Sequence, residues 1–185
     1  MDEHHILSQQ GRQLASRSVY EGRVVSLRVD TIDPGRGEAL TREVVEHPGA
    51  VAIVAVSDDG DLVLVEQWRH PVAEVLLEVP AGTLGPAEEP LSCAHRELAE
   101  ETGYTAGRME PLAVFYSAPG FCTERLHTYL ATGLLPGAQA LDEDEAIRVR
   151  PVPRAEAVSM CLDGRIRDAK SIAAILCAER ALDRI

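Results

Sequence analysis

The chain has 185 residues, 45% hydrophobic and 26% charged, the mix of a soluble globular protein with room for one compact domain and a short appended element. Eighteen Lys and Arg against 30 Asp and Glu leave a formal net charge of −12, which argues against nucleic acid and anionic membrane as partners. The longest nearly apolar run, Ala50 to Val56, is far short of the roughly 20 residues that span a bilayer, and the opening MDEHHILSQQ lacks a basic-then-apolar export signal, so a cytoplasmic location is expected.

From Tyr20 to Ile32 the apolar residues alternate in part, and after the turn-rich DPGRGE a further strand is predicted over Leu40 to Glu46, giving a hairpin or a small sheet. The two apolar runs of VAIVAVSDDGDLVLVEQWR, joined by Asp58-Asp59-Gly60-Asp61, predict another hairpin. Its second run ends in Gln67, Trp68 and Arg69, and alternation places Trp68 opposite its neighbours, which favours a core position for the indole. Another strand is expected at Leu76 to Val79. Leu91, Ala94 and Leu98 then recur at helical spacing, so a helix with an apolar face is predicted from Pro90 to about Thr102, with Pro90 suited to its first position and Gly103 to its left-handed end. Strands are expected at Pro111 to Tyr116, Leu126 to Ala131 and Ile147 to Val152, and helices in PRAEAVSMCLDGRI and DAKSIAAILCAERALDRI. The chain thus divides into an N-terminal β element, residues 1–46, and a mixed α/β body, residues 47–185. Cys93, Cys122, Cys161 and Cys177 form no C-x-x-C pair and are expected to be buried or half-buried thiols. Lys170 is the single lysine, so a grip on phosphate must come from arginine or divalent cations.

On the predicted helix, Glu97 and Glu101 lie one above the other with Glu100 beside them. Like charges at that spacing weaken an isolated helix by a few tenths of a kcal/mol per pair, unless something positive sits there. A hard cation such as Mg²⁺, with Mn²⁺ as its substitute, takes carboxylate and carbonyl oxygens and is commonly completed by substrate phosphates.

The stretch GTLGPAEEPLSCAHRELAEETGY fits G-x5-E-x7-R-E-U-x-E-E-x-G-U, where U is aliphatic, and resembles the box of the Nudix hydrolase family. Gly82, Glu88, Arg96, Glu97, Glu100, Glu101 and Gly103 fill its fixed positions, and the last U is a bulkier Tyr104. The resemblance implies an α/β/α sandwich with a mixed β-sheet, beside the small N-terminal antiparallel element. It implies that Glu97, Glu101 and the backbone carbonyl of Ala81 ligate metal, that Glu100 assists, and that Arg96, paired with Glu88, holds the glutamates in place.

Outside the box, Pro119 and Gly120 in FYSAPGFCTE resemble a feature of the ADP-ribose pyrophosphatase-like subfamily, as does EQWRH with Gln67 and Arg69. That likeness implies substrate contacts at Arg69, Gln67, Pro119, Gly120 and Glu124. The acidic LDEDEAIRVR is similar to the subfamily's catalytic loop, with Glu143 as the general base and Glu145 next in line. A homodimer that exchanges the N-terminal β element is a further implication. The expected reaction is metal-dependent cleavage of ADP-ribose, a nucleoside diphosphate sugar, into AMP and ribose 5-phosphate. A GDP-mannose or UDP-sugar diphosphatase and a non-catalytic ADP-ribose sensor are the alternatives, and the retained Glu97, Glu100 and Glu101 speak against the sensor.

Overall fold

The computed structural model describes residues 11–35, 37–141 and 145–182, and the chain forms two compact units: residues up to Pro48 with Ala118–Glu124, and the remainder. In the first unit, β1 (Arg12–Glu21), β2 (Ser26–Asp33) and β3 (Leu40–Glu46) make an antiparallel sheet in the order β1-β2-β3. The partly alternating segment from Tyr20 to Ile32 is not one strand. It turns where the Gly22 N–H donates to the Val25 carbonyl at 3.0 Å, so that Tyr20 lies in β1 opposite Leu27 of β2 and Glu21 closes β1 opposite Ser26. β1 is exposed at every residue and therefore carries no alternation that would mark it in the sequence. Residues 118–124 are fastened to β3 by hydrogen bonds from Val45 N–H to the Phe121 carbonyl and from Thr123 N–H to the Val45 carbonyl.

In the second unit β4 (Ala50–Ala55), β5 (Asp61–Arg69), β6 (Glu74–Glu78) and β7 (Ala81–Thr83) precede α1 (Pro90–Thr102). Then follow β8 (Tyr104–Tyr116), β9 (Arg125–Pro136), β10 (Ile147–Pro153), α2 (Arg154–Asp163) and α3 (Ala169–Leu182). One sheet has the order β7-β4-β9-β8, parallel between β4 and β9 and otherwise antiparallel; the other is antiparallel, β10-β5-β6. β4 is buried at all six residues, as a strand covered on both faces must be. Val51, Ile53 and Ala55 pack on Cys93, Ala94 and Leu98 of α1, while Ala52 and Val54 pack with Ala157, Met160, Ala174, Ile175 and Ala178 of α2 and α3. The result is an α/β/α sandwich around a mixed sheet. Each fully buried Leu or Ile in it contributes about 1.5–3 kcal/mol.

The Asp58 to Asp61 segment does turn, with Ser57 N–H bonded to the Asp61 carbonyl at 2.9 Å, but it makes no hairpin. β4 has β7 and β9 on its two edges, so β5 pairs instead with β6 and β10, and the ladder between the two runs shrinks to an isolated bridge between Val56 and Leu62. Trp68 is 53% exposed rather than in the core, and Leu91, in the first turn of α1, is 46% exposed. Of the cysteines, Cys177 is exposed. Among the described residues no helix is long and apolar enough to cross a membrane.

Candidate active site

Helix α1 starts on Pro90 and stops at Gly103, whose N–H still bonds the Ala99 carbonyl at 2.9 Å and whose φ of 76° then turns the chain out of the helix. Its buried side presents Glu97 and Glu101 to β7, the outer strand of its sheet. A Cβ on Gly82 would fall 1.8 Å from Glu97 Cδ, so the absence of a side chain in β7 is what admits the carboxyl group. The Ala81 N–H donates to Glu101 Oε2 at 3.0 Å. In a strand the N–H and C=O of one residue point to the same edge, so the Ala81 carbonyl leaves β7 by the edge on which its N–H meets Glu101.

Arg96 ties the glutamates together. Its Nε and Nη2 donate to the two oxygens of Glu88 at 2.9 and 3.0 Å, and its Nη1 lies 2.8 Å from Glu97 Oε1 and 2.7 Å from Glu100 Oε2. Glu88 also accepts the Gly85 N–H at 2.8 Å, and these donors, Arg96 foremost, hold its pKa down at about 2. Burial, followed by the like charges of Glu100 and Glu145, raises the proton affinity of Glu97 against the pull of Arg96. Glu101, 3% exposed, is pushed up to about 8, mainly by burial and then by Glu97 and Glu145, with the Ala81 N–H opposing. Three glutamates thus share Arg96, and Glu101 adds a fourth carboxylate held by a backbone N–H, an excess of negative charge that a cation would relieve.

Among the described residues no three His, Cys, Asp or Glu side chains stand ready to hold a metal ion by themselves. The donor set of two carboxylates and one backbone carbonyl nevertheless fits a hard cation such as Mg²⁺, which is usually bound through one or two carboxylates and completed by water and substrate phosphate.

Gln67 and Arg69 share one face of β5, and Arg69 is committed through Nε and Nη2 to the oxygens of Glu78, both at 2.8 Å. The neighbourhood of Glu78 was not foreseen. It also receives Lys170, 92 positions away, and the sole hints in the sequence are a glutamate within an apolar strand and a single lysine. Pro119, Gly120 and Glu124 belong to the first unit, where Pro119 and Gly120 form a turn closed by Cys122 N–H on the Ala118 carbonyl at 2.9 Å. There the Glu124 Oε1 lies 3.7 Å from His47 Nδ1. Glu145 is half-buried, and its charge is felt by both Glu97 and Glu101. Glu143 lies outside the described residues.

The family described as NUDIX domain matches residues 46–175. Three relatives are each 40% identical over 166 residues. They are the ADP-ribose pyrophosphatase of Bacillus subtilis (strain 168), covering 89% of this chain and 90% of its own, the methanol dehydrogenase activator of Bacillus methanolicus, with the same coverage, and the ADP-ribose pyrophosphatase of Mycobacterium tuberculosis (strain H37Rv), covering 88% and 80%. A GDP-mannose pyrophosphatase of Pectobacterium atrosepticum is 38% identical over 141 residues, 71% of this chain and 72% of its own. A crystal structure of an ADP compounds hydrolase superposes with a TM-score of 0.84, 23% identity and 95% coverage of both chains, a likeness of fold.

Proposed function

The chain belongs to the NUDIX family, and from that membership we infer that it hydrolyses the pyrophosphate of ADP-ribose to AMP and ribose 5-phosphate. The observation that carries this reading is the convergence of Glu97, Glu101 and the Ala81 edge of β7 around the space that Gly82 leaves open. The relatives named for ADP-ribose span more of the chain, at higher identity, than those named for GDP-mannose. That second substrate is the alternative.

Water adds to one phosphorus, the bond from that phosphorus to the bridging oxygen breaks, and the two phosphate monoesters separate. A divalent cation, Mg²⁺ or Mn²⁺, would supply neutralisation of the diphosphate charge and acidification of the water. Glu97, Glu101 and the Ala81 carbonyl are the groups that would hold it, and Glu100 adds negative charge beside them. Arg96, bound to Glu88, fixes the Glu97 and Glu100 carboxylates against their mutual repulsion. The water's proton goes to a glutamate of the acidic loop, Glu143 or Glu145. Arg69, anchored by Glu78, turns its remaining Nη1 edge to a substrate phosphate, with Gln67 on the same strand face. Pro119, Gly120 and Glu124 are assigned to the substrate on the strength of the sequence pattern alone.

A homodimer is part of the proposal. β1 carries exposed Leu14, Val19 and Tyr20, is exposed at each of its residues and pairs among the described strands with β2 alone, and a strand of that kind calls for a partner. A second copy of residues 1–46 would meet that demand, and sedimentation at twice 20.0 kDa is the expected result. The free thiols agree with a reducing, cytoplasmic setting. Direct competition between ADP-ribose and GDP-mannose tests the substrate. A kcat/KM that favours ADP-ribose is expected, and one that favours GDP-mannose would replace the sugar and leave the chemistry unchanged.

A further inference from the structure

Glu78, the anchor of Arg69, is 1% exposed, the least exposed carboxylate among the described residues, and its own supports have no part in the proposed reaction so far. Its oxygens take Arg69 Nε and Nη2 and the Lys170 ammonium, all from other elements. Lys170 also lies 3.0 Å from Asp168 Oδ2. That oxygen caps α3, accepting the Ser171 N–H at 2.9 Å and the Ser171 hydroxyl at 2.5 Å. Ser171, wholly buried, in turn accepts the Val79 N–H at 2.9 Å.

The first turn of α3 therefore grips two consecutive residues of the opposite wall, Glu78 by its side chain and Val79 by its main chain. The next two are held elsewhere, the Pro80 carbonyl by Ile53 N–H at 2.8 Å and the Ala81 N–H by Glu101 at 3.0 Å. Residues 78–81 are thus pinned in succession by β5 with α3, by α3 alone, by β4 and by α1. The two-point fork of Arg69 makes its guanidinium coplanar with the Glu78 carboxylate but leaves the joined pair free to turn together; a second cation on Oε2, from another element, fixes where that pair sits. Similarly, a strand edge held at Val79 and Pro80 presents the Ala81 carbonyl in one direction.

We propose that Lys170 and Ser171 are positioning residues of the active site: Lys170 acts through Glu78 to set Arg69 for the substrate, and Ser171 acts through Val79 to set the Ala81 carbonyl for the metal. The inference rests on the roles given above to Arg69 and Ala81. It makes the end of α3, more than 65 residues beyond the box, part of its support.

The test uses the full chain carrying Lys170→Met, Lys170→Arg or Ser171→Ala. Its readouts are kcat and KM for ADP-ribose, Mn²⁺ binding without nucleotide by electron paramagnetic resonance, and the melting temperature. Lys170→Met is expected to raise KM about tenfold with a smaller change in kcat and unchanged Mn²⁺ affinity, and Lys170→Arg to recover most of that loss. Ser171→Ala is expected to weaken Mn²⁺ binding by about tenfold. An unchanged KM in Lys170→Met, or equal losses of KM, kcat and melting temperature in both Lys170 variants, would overturn the Lys170 role. Full Mn²⁺ affinity in Ser171→Ala would overturn the other. If the unaltered chain fails to turn over ADP-ribose, the functional reading falls, and the Mn²⁺ comparison still decides the Ser171 role.

Discussion

The carboxyl carbon of Glu97 lies 1.8 Å from the point where Gly82 would carry a Cβ, so the two residues share a volume that only a glycine leaves free. Gly82→Ala therefore forces Glu97 out of its place beside β7. We expect metal affinity to fall about 10–100-fold while the protein loses about 1–3 kcal/mol of stability. Mn²⁺ titration with a thermal melt checks this, and full affinity in the variant would contradict it.

Arg96→Lys keeps the charge and loses the fork that spans both oxygens of Glu88 while reaching Glu97 and Glu100. A drop of about 10–100-fold in kcat/KM is expected, with the dependence on Mg²⁺ shifted to higher concentration. A rate within a factor of two of the unaltered chain would show that the glutamates need no such brace.

Much of the site was legible because its chemistry is packed into one short run, where a fixed spacing on a helix brings Glu97, Glu100 and Glu101 to a common region and Gly82 stands one strand away. Local pattern failed where the deciding partner is distant. Alternation told that Trp68 opposes Arg69 but not that its face lies uncovered, and helical spacing told which way Leu91 points but not where along α1 the covering begins. The turn at Asp58 to Asp61 was plain, yet pairing depends on which strand edges are already occupied. The ties of Glu78 to Lys170 and of Val79 to Ser171 each cross 92 positions, beyond any local period.

Glu78 also sets a pH dependence. Burial raises its pKa, but the bonds from Arg69 and the pull of Lys170 prevail, and the folded value lies below that of the unfolded chain. Its stabilisation is therefore complete above the unfolded value, near pH 4.5, and is lost as pH falls through the lower folded value. Glu78→Gln should lower stability by about 3 kcal/mol near neutrality, and the gap in melting temperature between the two chains should narrow toward pH 3. A gap that stays constant from pH 7 to pH 3 would refute the linkage.

The acidic loop separates binding from chemistry. Glu143→Gln should bind Mn²⁺ and ADP-ribose with near-normal affinity and lose most of its turnover, and Glu145→Gln should lose less. Single-turnover rates at saturating metal distinguish the two. Near-normal kcat in Glu143→Gln would move the base to Glu145, whose charge already reaches Glu97 and Glu101.

The most direct measurement is the release of AMP from ADP-ribose by the purified chain, with Mg²⁺, with a chelator in its place, and for Glu97→Gln with Mg²⁺. The account predicts steady AMP release in the first case, none with the chelator, and a loss of at least about a hundredfold in the variant. Turnover that survives the chelator, or a Glu97→Gln enzyme as fast as the unaltered chain, would contradict it.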